Sequence, residues 1–193
     1  MKRLRWLLLC LSLLQATHVM AQTRPDFIEV QPFPAGGDFT LHSDRGAVSL
    51  HDFKGKAVLL FFGYTYCPDI CPMTLGTLSI TLEQLRSDER TRVEVLFITL
   101  DPERDTTKHL AAYLAHFGFS ATGLTGSKPE IDQVVDQYAA QYTQVELPGS
   151  AMRYGLDHSA GIYLVSPEGR LLHVFRHTAN PKAMAQAIRK ILK

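Results

Sequence analysis

Ala57–Phe62 is a run of six apolar residues that leads within five positions into Cys67-Pro68-Asp69-Ile70-Cys71-Pro72. An apolar run without polar alternation is the pattern of a strand covered on both faces. Such a strand needs neighbours on either side and layers above and below it. The stretch that follows is helical in pattern from Pro68 to about Arg86, with Cys71, Leu75, Leu78, Leu82 and Leu85 spaced for one face. A buried strand passing directly into an amphipathic helix implies a layered α/β architecture.

The rest of the chain extends this alternation. Phe39–Leu41 and Val48–Leu50 flank Ser43-Asp44-Arg45-Gly46, the signature of a β-hairpin. Val93–Leu100 reads as a second buried strand. Asp105-Thr106 can cap a helix running to about Phe117. Leu124 lies in a short extended piece, and Pro129 opens a helix to about Tyr142. Thr143–Ser159 shows neither period, contains Pro148, Gly149 and Gly155, and reads as a long loop of the kind that carries function. Ile162–Val165 and Leu171–Phe175 form two strands around Ser166-Pro167-Glu168-Gly169, and Pro181 opens a last helix. The expected fold is α/β: a thioredoxin-like three-layer sandwich with an N-terminal β-hairpin and a long His-bearing loop.

The chain ahead of the hairpin reads differently. Lys2, Arg3 and Arg5 precede an apolar or small run from Trp6 to Leu14 that includes Cys10, and Val19-Met20-Ala21 offers a small-residue cleavage site. This is the layout of a secretory signal peptide, and the run is shorter than the ~20 residues that span a bilayer. The expected organisation is therefore a signal peptide or uncleaved anchor over 1–21, an extended lead-in over 22–37 and one domain over 38–193. The protein is expected to be periplasmic or, if the leader stays, anchored in the inner membrane facing the periplasm. Without the leader, 17 of the 20 basic residues remain against 19 acids. No basic stripe of the kind that binds nucleic acid appears.

Export leaves two cysteines, Cys67 and Cys71. An exported pair usually means a structural disulfide, and two cysteines on the apolar stripe of a helix can equally be small core residues. A disulfide four residues apart closes too short a loop to stabilise much. The strand-to-helix junction favours chemistry instead: free N–H groups and the positive end of the helix dipole support a thiolate there. Two thiolates on one turn chelate a thiophilic ion. His42, His51, His109, His116, His173 and His177 read as surface or packing residues. His158 stands apart, beside Asp157 at the end of the irregular segment and just before the strand at Ile162. In a thioredoxin-like sandwich that junction faces the start of the cysteine helix. Two sulfurs and one imidazole suit Cu(I), or Cu(II) with an added donor; zinc would want a fourth group.

Gly63-Tyr-Thr-Tyr-Cys-Pro-Asp-Ile-Cys-Pro-Met-Thr-Leu75 resembles the signature of the Sco/SenC family, copper proteins of cytochrome c oxidase assembly. Thr99-Leu-Asp-Pro-Glu-Arg-Asp-Thr106 resembles that family's second block. Asp157-His158 with Tyr163-Leu-Val-Ser-Pro-Glu-Gly169 resembles its third. The resemblance runs from about Phe39 to the end of the chain. It implies a thioredoxin fold, one copper ion on Cys67, Cys71 and His158, and delivery to the CuA-bearing subunit of the oxidase or another copper chaperone. It also implies a thiol–disulfide role toward the cysteines of that centre.

Three functions follow for comparison. A metallochaperone needs reduced cysteines, and hence a thiol reductant, because a disulfide removes both sulfur donors. A thiol–disulfide oxidoreductase would use Cys67 and Cys71 as its redox pair, although such enzymes usually carry CxxC and a proline ahead of the facing strand. A peroxidase would want a threonine three residues before its cysteine, and Thr65 lies two before Cys67. Asp69 and Asp157 are candidates for tuning the site. Asp101, Arg104 and Asp105 are expected to shape a loop, and Met73 and Met152 to be filler or surface.

Overall fold

The computed structural model describes residues 27–28 and 36–193. The leader expected over 1–21 and most of the lead-in over 22–37 lie outside the described residues. In chain order the elements begin with β1 (Phe27–Ile28), β2 (Thr40–Ser43), β3 (Gly46–Ser49), β4 (Ala57–Gly63), α1 (Ile70–Glu83), α2 (Ser87–Arg90) and β5 (Val93–Thr99). They continue with α3 (Thr107–Leu114), β6 (Thr122–Leu124), α4 (Lys128–Gln137), β7 (Tyr142–Glu146), β8 (Tyr154–His158), β9 (Ile162–Val165), β10 (Leu171–Phe175) and α5 (Pro181–Ile191).

Six strands form one sheet in the order β1-β10-β9-β4-β5-β6. All seven residues of β4 are buried, as its uninterrupted apolar run requires. It pairs in parallel with β5 and antiparallel with β9. Side chains alternate between faces along a strand, so Phe61 and Phe62 point opposite ways. Phe61 stacks with Phe97, which meets Tyr113 of α3, and Thr81 of α1 reaches Met184 of α5. On the other face Phe62 and Tyr163 pack against Tyr138 at the end of α4. The expected α/β sandwich and the β2–β3 hairpin are both present.

Two local expectations change. The helix expected from Pro68 starts at Ile70. An earlier start would need the Pro72 nitrogen to bond to the Pro68 carbonyl, and proline has no N–H to give. The first such bond therefore runs from the Met73 N–H to the Asp69 carbonyl, 3.2 Å. Cys67, ahead of Pro68, is biased away from helical backbone and lies in a turn. The second change is at 143–159, expected as an irregular His-bearing loop. Most of it folds as the hairpin β7–β8, a two-stranded sheet apart from the main one, with Tyr142 opposite His158. The mostly polar, exposed residues of β7 and a long connection hid the pairing. Tyr154, Leu156 and His158 do share a face at the strand period of two.

Helix α4 ends in a Schellman motif, with Ala140 N–H bonded to Val135 O and Ala139 N–H to Asp136 O. Ala139 occupies the left-handed position at φ 48°, where a Cβ is unfavourable and glycine is the usual residue. Ala139→Gly is expected to stabilise the protein by about 0.5–1 kcal/mol. A higher urea midpoint at unchanged slope would register this gain.

Candidate metal centre

The strand order explains how residues ninety positions apart meet. Ile162, the first residue of β9, lies opposite Phe61 near the end of β4. The segment entering β9 must therefore pass the same end of the sheet from which the cysteine turn leaves β4. His158 closes β8 just ahead of that entry. The sulfurs of Cys67 and Cys71 and one ring nitrogen of His158 all lie within 4.8 Å of one another. Cys71 Sγ and His158 Nε2 are 3.4 Å apart. Among the described residues this is the one cluster of three or more such side chains close enough to share an ion. The other described histidines do not join it.

Local chemistry places each member. A β-turn closed by Cys67 N–H to Tyr64 O, 3.2 Å, brings Cys67 back toward the helix, where its sulfur accepts the Cys71 N–H at 3.5 Å. Cys71 is fully buried and Cys67 nearly so, at 9% exposure. Both are free thiols, so the structural disulfide weighed for this pair is not formed. Gly63 lets the two layers close: a Cβ there would fall 2.9 Å from Cys71 Sγ and 3.0 Å from the Phe97 ring. The imidazole of His158 packs edge-on against Tyr64 and Phe61. Its Nδ1 lies 3.0 Å from the Ser159 carbonyl. With the proton on Nδ1 donated to that carbonyl, Nε2 turns a lone pair toward the sulfurs.

The donor set passes a simple test of size. Bonds of about 2.3 Å to sulfur and 2.0 Å to nitrogen allow donors around one ion to stand up to ~4.6 Å apart. A cluster within 4.8 Å is therefore already near the size one ion requires. The buried sulfurs and the aromatic wall suit a soft ion shielded from water.

A family model described as SCO1/SenC matches residues 29–193. The chain belongs to the SCO1/SenC family. A SCO2-like protein of Rickettsia conorii is 38% identical over 157 residues, covering 80% of this chain and 75% of its own length. The mitochondrial SCO2 homolog of Bos taurus is 39% identical over 156 residues, covering 80% of this chain but only 58% of its own length. The copper-bound structure of Bradyrhizobium japonicum ScoI has a TM-score of 0.73 at 36% identity, covering 81% of this chain and 99% of that one. Copper-bound yeast Sco1 has a TM-score of 0.71 at 33% identity, covering 81% and 87%. These solved relatives share the thioredoxin-like fold expected for a SCO1/SenC chain.

Within this SCO1/SenC site the two thiols are unequal. The Cys71 thiol donates toward Cys67, which lowers the Cys67 pKa; the backbone N–H groups of Asp69 and Cys71 lower it further, against the opposing effect of burial. The same donation and burial raise Cys71. Without metal, Cys67 is the thiolate and Cys71 the buried thiol that holds it. Burial also raises the Tyr64 hydroxyl, which accepts the Leu156 N–H of β8 at 3.2 Å.

The neighbours singled out from the sequence sort plainly. Asp69 is the N-cap residue of α1 but makes no side-chain capping bond; its backbone N–H is what reaches Cys67. Asp157 is exposed, and the Ser159 carbonyl takes the orienting role considered for it. Met73 is 54% exposed. Asp105 accepts from Thr65 and Thr99, and Thr106 caps α3, so this block shapes its loop as expected. Gly63, Tyr64 and Ser159 were not singled out, because a close approach, a hydroxyl reaching across to β8 and a backbone carbonyl carry no local pattern.

Proposed function

We propose that this protein is a copper metallochaperone that holds one copper ion on Cys67 Sγ, Cys71 Sγ and His158 Nε2. The ion is its cargo, passed by exchange of donors to the CuA-bearing subunit of cytochrome c oxidase or to another copper chaperone. The observation that carries this reading is the convergence of two buried sulfurs and one oriented imidazole within 4.8 Å. Two sulfurs and one nitrogen favour Cu(I), which accepts three donors, and Cu(II) would need one more. The basic and apolar leader supports a periplasmic location, with inner-membrane anchoring if it is retained. Among the described residues no helix is long and apolar enough to cross a membrane.

The test is competition for Cu(I) between the reduced protein and a chromophoric chelator. His158→Ala should lower affinity by about 100-fold, roughly 2.7 kcal/mol, while the fold persists because the ring is only partly buried. Equal affinity in the two proteins would remove His158 from the centre.

The unequal thiols favour a second reading, a thiol–disulfide reductase acting on a partner's cysteines. Cys67 thiolate would attack a partner disulfide, forming a mixed disulfide and releasing one partner thiolate. Cys71 would then attack the Cys67 sulfur, its proton passing to the sulfurs released. The partner gains two electrons and the chain ends as a Cys67–Cys71 disulfide. Reduction by metal-free protein that is lost in Cys67→Ser but kept in His158→Ala would identify this activity. Copper transfer should be lost in both variants.

A further inference from the structure

The two halves of the centre belong to different bodies. The cysteines are built into the sheet and α1, whereas His158 ends a hairpin that makes no ladder with the main sheet. A two-stranded hairpin is marginally stable by itself. The position of the imidazole over the sulfurs therefore depends on what fastens the hairpin to the domain.

Leu156 N–H on the Tyr64 hydroxyl and the Tyr142 hydroxyl on Lys128 and Asp132 of α4 are two such ties, and the contacts of one further side chain reach both the hairpin and the cysteine turn. Arg104 lies in the loop between β5 and α3, with its side chain 15% exposed. Its Nη1 donates to the carbonyls of Met152 at 3.0 Å and Tyr154 at 3.1 Å. Its Nε donates to Asp101 Oδ2, and the other oxygen of Asp101 accepts the Tyr154 hydroxyl at 2.8 Å. The guanidinium lies 3.7 Å from the Tyr154 ring centroid and 4.9 Å from that of Tyr66. Tyr66 adjoins Cys67; Tyr154 begins the strand that His158 ends. A single cation thus touches both chain segments that carry the candidate donors, without touching the donors themselves.

From these contacts we infer that Arg104, braced by Asp101, is a positioning residue that locks the β7–β8 hairpin against the cysteine turn and so sets His158 over the two sulfurs. The strand from Tyr154 to His158 transmits that hold, since an extended five-residue segment spans about 13 Å with little freedom. Lysine cannot substitute. It retains the charge beside Asp101 but lacks the planar fork that serves two carbonyls, a carboxylate and an aromatic face together. This inference rests on the copper reading of the site.

The experiment compares wild type, Arg104→Lys, His158→Ala and the double variant as full chains, reduced, by Cu(I) competition. Backbone amide exchange on the metal-free proteins supplies a readout independent of metal. Arg104→Lys should lower Cu(I) affinity about tenfold, within the range seen when groups behind metal-binding residues are disturbed. It should accelerate exchange across 142–158 and leave 57–63 unchanged. Added to His158→Ala, it should cost no further affinity, because the imidazole it positions is gone. Wild-type affinity in Arg104→Lys, additive losses in the double variant, unchanged exchange across 142–158, or faster exchange throughout the domain would each overturn the assignment. If His158→Ala itself binds Cu(I) as wild type does, the reading of His158 as a donor fails. If His158→Ala loses affinity and Arg104→Lys does not, only the positioning role fails.

Discussion

Cys71→Ser is expected to lower Cu(I) affinity by more than about a hundredfold, beyond the range typical of changes behind a metal-binding residue. Serine presents a hard oxygen where a soft ion wants sulfur. The fold should survive. The position is fully buried, but the serine hydroxyl can still donate to Cys67, and a bonded hydroxyl in the interior costs only about 1–2 kcal/mol. Chelator competition measures the affinity, and a urea melt of the metal-free protein measures the fold. A variant that keeps affinity within about tenfold of wild type would show that Cys71 is not a donor.

Asp105→Ala is expected to produce the largest loss of stability tied to the site. The Asp105 side chain is fully buried and accepts from the Thr65 backbone N–H at 3.0 Å, the Thr65 hydroxyl and the Thr99 hydroxyl at 2.7 Å. Alanine removes the shared acceptor and leaves the buried Thr99 hydroxyl and the half-buried Thr65 donors without one. At about 1–3 kcal/mol for an unsatisfied buried group, the total should reach roughly 3 kcal/mol or more. That is a large share of the 5–15 kcal/mol typical of a domain. Thr65 lies in the turn that delivers Cys67, so copper affinity should fall as well. A urea midpoint for the metal-free protein that implies a loss below about 1 kcal/mol would contradict this account. Asp105→Asn, which keeps one oxygen acceptor, should fall between alanine and wild type.

Much of this molecule is readable without coordinates, for a consistent reason. Burial on both faces leaves a continuous apolar run, as in Ala57–Phe62, and the exchange of that run for a helical stripe at Cys71 and Leu75 marks the strand-to-helix junction. Cysteine is scarce in this chain, and His158 differs from its other histidines by lying just ahead of the strand at Ile162, so Cys67, Cys71 and His158 could be nominated from position. What remained hidden depends on contacts between distant segments. The hairpin that carries His158 pairs a mostly exposed, polar β7 with a β8 whose buried residues are only Tyr154 and Leu156, and its pairing left little hydrophobic trace. The late start of α1 came from a backbone nitrogen that Pro72 lacks, which the apolar spacing could not register. The grip of Arg104 on Met152 and Tyr154 spans 48 and 50 positions, and the inequality of the two thiols follows from the hydrogen bond between them and from burial. Local pattern determined the layers and the types of the candidate donors. Only tertiary packing decided how the donors are held together, because strand register and side-chain contacts between remote segments leave no period along the chain.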